Sequence, residues 1–214
     1  MAKTKLTHPP PYSRRHAGQV TSVKPKLSIV GIGASAGGVE AFKELLSHLA
    51  TDTGMAFVLI LHLSPTHESM LAEILSRATS MPVLQVKGRT KIEPNHVYVI
   101  PPNAEMTIDR GNLSLQPRKQ SAFPPLPIDA FFNSLAENLQ ERAVSVVLTG
   151  TGKDGAEGTK AIKSAGGITF AQTPSSAVHD SMPTHAIATS NIDFVLTPRE
   201  IALEISTVSR RKNK

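Results

Sequence analysis

Leu27-Ser28-Ile29-Val30-Gly31-Ile32-Gly33-Ala34-Ser35-Ala36-Gly37-Gly38 is the stretch from which the fold can be read. A short apolar run, Leu27 to Val30, meets glycines at 31 and 33. Glu40-Ala41-Phe42-Lys43-Glu44-Leu45-Leu46 then spaces its apolar residues at helical intervals. The reading is a strand ended by the glycines, a tight turn, then a helix. Ala56-Phe57-Val58-Leu59-Ile60-Leu61 is a second unbroken apolar run, of the kind that suits a strand buried on both faces of a parallel sheet. Further strands are expected over Val144–Leu148, Ile168–Ala171 and Phe194–Leu196. Helices are expected over Ser69–Ala78, Ile128–Glu141 and Ala156–Ala165, and from Arg199, just after Pro198, to about Ser209. This alternation predicts an α/β fold: a doubly wound, mainly parallel sheet with helices on both faces. Between Pro82 and Arg118 the pattern changes to short strands at Val83–Val86, Val97–Ile100, Met106–Asp109 and Leu113–Gln116. Asp109-Arg110-Gly111-Asn112 is a turn signal between the last two, so this region is expected to be an antiparallel hairpin insert. A proline-rich link, Gln120–Pro127, leads from it to the next helix.

The chain of 214 residues is long enough for one domain, and 40% apolar with 19% charged residues argues against wholesale disorder. It contains no Cys, which excludes a disulfide scaffold, a thiolate zinc site and a cysteine nucleophile. No apolar run reaches the roughly 18 residues of a membrane span, and no secretory signal follows the basic start. The expectation is a cytoplasmic protein without membrane insertion. The net charge of +6 is unevenly spread. Residues 1–26 hold six Lys/Arg, no acid and four Pro, and are expected to form a disordered basic extension. Residues 210–214 add four cations as a basic tail. The domain between them, 27–209, has 13 cations against 17 acids, a net of −4. With aromatics at 4% and no Trp, this is not the basic, aromatic-lined surface that nucleic acid requires. The tails suit solvent or an acidic partner, whose encounter they would speed at low salt.

The glycine turn admits several readings. A dinucleotide fingerprint needs a glycine at Ala36 and an acid at the end of the second strand, which instead runs Leu61-His62. A phosphate-binding loop needs Gly-Lys-Ser/Thr, which this turn lacks. Alternatively Ser35 is a nucleophile. Its small neighbours Ala34, Ala36, Gly37 and Gly38 let a substrate approach, and main-chain N–H groups at a strand-to-helix turn can face a developing oxyanion. Ser35 as a simple cap of the following helix is the plainer option. A serine needs a base. In a parallel sheet His62 would reach the same crevice as Ser35, with His67 close by in the loop. His48, His96, His179 and His185 have no such argument, and His8 and His16 lie in the extension. A base needs an orienting acid. Thr149-Gly150-Thr151-Gly152-Lys153-Asp154-Gly155 is a second glycine-rich turn at a strand end, and Asp154 is either that acid or the cap of its own helix. A metal site from His62 and His67 is disfavoured by their spacing.

At these residues the chain resembles the catalytic domain of the CheB-type chemotaxis receptor-glutamate methylesterases. The resemblance rests on Gly33-Ala34-Ser35-Ala36-Gly37-Gly38, on His62, on Leu148 to Gly155, and on Ala171-Gln172 with Ser176-Ala177-Val178 and Met182-Pro183. It spans roughly 27–205. It implies Ser35 as nucleophile, His62 as general base and acid, and Asp154 as orienting carboxylate. Ala36, Gly37, Thr151 and Gly152 would form the oxyanion and substrate loops. It implies hydrolysis of glutamyl methyl esters, with glutamine deamidation at the same site, and no cofactor or metal. The partner would be a methylated chemoreceptor or other Glu-rich helical protein, with a methyltransferase or separate regulator alongside. Three departures stand out. Only about 26 residues precede the domain, so no receiver domain is expected in this chain. Leu61 stands where many members have Gln, and Ser121 to Pro127 lacks the basic segment of receiver-regulated members. Pro127-Ile128-Asp129-Ala130-Phe131-Phe132 looks more like the methylesterase halves of methylesterase–methyltransferase fusions.

Overall fold

The central strand β1 (Ile29–Ala34) is buried along its whole length. It pairs in parallel with β2 (Ala56–Leu61) on one side and β8 (Ala143–Val147) on the other. The computed structural model describes residues 27–62, 70–117 and 125–212. The expected basic extension, His67 and most of the proline-rich link lie outside the described residues. All seven strands of the main sheet are parallel, in the order β10-β9-β8-β1-β2-β5-β3. The remaining four are β3 (Val83–Gln85), β5 (Val97–Val99), β9 (Ile168–Gln172) and β10 (Phe194–Leu196). The chain winds outward from β1 through β2, then restarts at β8 and winds the other way. The switch point between β1 and β8 is where such a sheet opens a crevice at its carboxyl edge.

Alternate side chains of each strand enter two cores. Val30, Ile32, Phe57, Leu59, Val146 and Phe170 pack against α1 (Gly38–His48), α2 (Leu71–Ser76) and α6 (Pro198–Lys212). Ile29, Val58, Ile60 and Val147 pack against α3 (Pro127–Leu139), α4 (Ala156–Ser164) and α5 (Ser181–Ala188). A small antiparallel sheet, β4-β7-β6, extends the second core beside α3. Its strands are β4 (Thr90–Lys91), β6 (Ala104–Asp109) and β7 (Asn112–Pro117).

Four sequence expectations change. The glycines at 31 and 33 do not end β1 but lie within it. A Cβ on Gly33 would come within 2.5 Å of Ile128, and one on Gly31 within 2.9 Å of Phe132, so their small size lets α3 lie close on the strand. Val83–Gln85 and Val97–Val99 are not part of the antiparallel insert but parallel members of the main sheet. β5 is fully buried beside β2, and only an interior place in a sheet buries both faces of a short strand. The helix expected from Ser69 is shorter, starting at Leu71, and α6 runs on through Lys212, into the stretch read as a tail. The Asp109-Arg110-Gly111-Asn112 turn is as expected, with Arg110 and Gly111 at φ 47° and 77°.

Candidate active site

Three parallel strand ends converge. Ala34 is in register with Leu61, and Ser35 and His62 each follow one residue later. The His62 N–H reaches the Ala34 carbonyl at 3.4 Å. On the other side, the Leu148 N–H donates to Gly33 at 2.9 Å and the Ser35 N–H donates to Thr149 at 3.0 Å. Pairing thus continues past the strands and fixes the start of both glycine-rich loops. The first capping residue of α1 is Gly37, at φ 78°, and no side chain caps that helix. Ser35 is therefore not its side-chain cap.

Asp154 is 2% exposed, and its Oδ2 lies 2.7 Å from His62 Nε2. It does not cap its own helix, α4, as the sequence allowed. It caps α3 instead: Oδ2 accepts the Ile128 N–H at 3.0 Å and Oδ1 the Asp129 N–H at 2.9 Å. The fixed carboxylate holds the imidazole by one nitrogen and leaves Nδ1 facing away from it. The structure brings His62 and Asp154 into contact. It brings Ser35 to the adjacent strand end, with no hydrogen bond between its hydroxyl and His62; such bonds are often long before substrate arrives.

The two loops are held to each other by neutral bonds. Thr149 Oγ1 accepts the His179 N–H at 2.9 Å and lies 3.1 Å from the Ala36 and His179 carbonyls, to one of which it donates. The Thr149 N–H donates to Gln172 Oε1 at 2.8 Å, and Gly150 and His179 pair at 2.9 Å. The Met182 N–H reaches Gly150 at 3.0 Å, and the Ser181 hydroxyl donates to Gly152 at 3.0 Å. Ala36, Gly37, Thr151 and Gly152 all sit on these loops, and their N–H groups have no acceptor among the described residues. His48 and His96 are engaged elsewhere, by Glu44 and Pro94. His179 and His185 are not: the main chain of His179 clasps Thr149, and His185 bonds Ser181. Sequence reasoning gave them no role. It also did not find Asp129, Thr149 or Gln172 as site residues, although Gln172 lies in the late motif. Among the described residues no group of three His, Asp or Glu is placed to hold a metal ion. No described helix is long and apolar enough to cross a membrane.

The family model described as CheB methylesterase matches residues 30–205. The chain belongs to the CheB methylesterase family. A Myxococcus xanthus protein-glutamate methylesterase/protein-glutamine glutaminase is 33% identical over 193 residues, 86% of this chain and 54% of that protein. A Leptospira interrogans protein that carries that name provisionally is 32% identical over 172 residues, 80% of this chain and 89% of that protein. An uncharacterized 104.1 kDa protein of Rhodobacter capsulatus is 44% identical over 126 residues, 59% of this chain and only 13% of its own length. Among solved structures, the Thermotoga maritima CheB methylesterase catalytic domain superposes with a TM-score of 0.77 at 24% identity, covering 86% of this chain and 99% of that one. That likeness extends the CheB methylesterase assignment to the fold.

Proposed function

We propose that this chain is a serine-dependent protein-glutamate methylesterase that also deamidates glutamine. The observation that carries the reading is the His62–Asp154 pair, 2.7 Å apart, at the strand end in register with the one that delivers Ser35. With Nε2–H donated to Asp154, Nδ1 of His62 takes the Ser35 proton as Oγ attacks the ester carbonyl. The N–H groups of Ala36, Gly37, Thr151 and Gly152 supply the donors for the oxyanion. His62 returns the proton to the leaving methoxide, and methanol departs. Water, deprotonated by His62, then releases the glutamate carboxylate and frees Ser35. With a glutamine substrate the same steps release ammonia.

The substrate proposed is a methylated chemoreceptor or another Glu-rich helical protein in the cytoplasm, with a methyltransferase as the opposing activity. Methanol release from methylated receptor fragments, for the intact protein and Ser35→Ala, tests this. Release that depends on Ser35 is the expected result. Equal release from both proteins sinks the mechanism. Among the described residues the Ser35 hydroxyl has no hydrogen-bond partner, which favours one second reading, a receptor-binding domain without turnover, for which neither protein would release methanol.

A further inference from the structure

A second carboxylate is buried behind the first. Asp129, in the first turn of α3, is 7% exposed and makes no hydrogen bond to His62. Its Oδ1 accepts the Gly155 N–H at 3.0 Å and the Gly158 N–H at 2.7 Å. Gly155 is the residue after Asp154, and Asp154 in turn accepts the N–H of Asp129 itself at 2.9 Å. The two side chains therefore exchange helix caps. Each holds the main chain beside the other, in a closed ring that leaves neither α3 nor α4 capped by its own residues. A Cβ on Gly158 would come within 3.1 Å of the Asp129 main chain, so the two helices lie too close there for any side chain.

We propose that Asp129 is a positioning residue for the reaction: through this ring it sets the rotamer of Asp154 and the negative potential at His62. This rests on the functional reading given above. A cap alone needs only an acceptor oxygen, which an amide would provide. Nature has put a second negative charge next to a buried carboxylate. Burial pushes the Asp129 carboxyl up to about 6; the Gly158 N–H draws it down, the charge of Asp154 raises it, the Gly155 N–H lowers it and Glu157 raises it. Among the described residues, no cation bonds either carboxylate from the packed elements apart from His62: Lys153, beside Asp154 in sequence, is exposed, and Lys163 on α4 is paired with Asp193. β1, β2 and β8 carry no ionisable residue, β6 puts Glu105 and Asp109 on its other face, and on α4 Lys160 is paired with Glu157. Among the described residues, the imidazolium that forms on His62 is the cation in direct contact with this pair.

The test is an NMR titration of the His62 ring in the full chain, assigned by loss of its signal in His62→Gln. Asp129→Asn keeps size and acceptor but removes the charge. The expected result is a His62 titration midpoint lower by about half a pH unit. An unmoved midpoint with intact fold overturns the proposal and leaves Asp129 as a cap. Should the variant not fold, His62→Gln decides: removing the imidazole is expected to raise the midpoint at which the Asp129 carboxyl carbon titrates, and an unmoved Asp129 midpoint overturns the proposal. In turnover, Asp129→Asn should lower kcat about threefold to tenfold with KM unchanged. Absence of Ser35-dependent methanol release would remove the proposed reaction but not this coupling, so the two failures are distinguishable.

Discussion

The two sides of the site are held by different physics. On the Asp154 side, two buried carboxylates accept four main-chain N–H groups from two helix starts, and one of them also holds His62. On the Ser35 side the bonds are neutral, and space is the constraint. A Cβ on Gly150 would meet Met182 Sδ at 2.2 Å and Ser35 Cβ at 2.8 Å. On the Asp154 side the charge of the partners is what positions the groups. The other side tolerates no added atoms. A nucleophile can be placed by packing alone, whereas the base needs a partner whose charge is fixed in place.

The largest effect should come from Asp154→Asn, which keeps volume but alters the His62 partner. A loss in kcat of about 10³- to 10⁴-fold is expected in the methanol-release assay. Retained activity would show that charge is not what this side supplies. Gly150→Ala attacks the other side. Overpacking against Met182 and Ser35 should cost about 2 kcal/mol in denaturant unfolding and about tenfold or more in kcat. Wild-type behaviour there would refute the packing account.

Gln172→Ala leaves the buried Thr149 N–H without its acceptor, an expected loss of about 1–3 kcal/mol. Asp129→Asn should change stability with pH. The folded-state value near 6 lies above the ordinary 3.8, so the native state holds a proton that the unfolded chain gives up. The parent therefore loses stability as pH rises from about 4 to 6, and the Tm of the variant relative to the parent should climb over that window and then level. The smallest effect belongs to the hairpin tip. Gly111→Ala, at φ +77° in open space, should cost about 1 kcal/mol and leave methanol release unchanged.

Much of the framework is legible in the sequence. β2 and β10 occupy the same residues as their apolar runs: β2 is buried on both faces, so no polar residue blurs its ends, and β10, an edge strand with Val195 exposed, is bounded by Asp193 and Thr197. Ser35, His62 and Asp154 were legible as strand-end residues for the same reason. The glycines of β1 were not legible as strand residues, since what demands them is Ile128 and Phe132, about a hundred positions later. β3 and β5 are three residues each, and a run that short carries no sign of which neighbour it pairs with. α5 went unread because it is only eight residues long and carries Pro183 in its first turn. Asp129 looks locally like an ordinary acid at a helix start. Its partners on Gly155 and Gly158 appear only once α3 and α4 are packed.

The clasp on Thr149 has a consequence for biosynthesis. A ribosome that has made the first 165 residues has already made Ser35, His62 and Asp154. It has not yet made Gln172, which holds the Thr149 N–H, or His179 and Met182, which hold Thr149 and Gly150. Chains grow from the amino end, and the parts of a domain dock as they emerge. The nascent chain thus carries the proposed reactive groups before the piece that sets their loop. A product terminated there would contain the proposed triad without the clasp on its loop, so the proposed activity is expected only once residues 166–182 have been translated and docked.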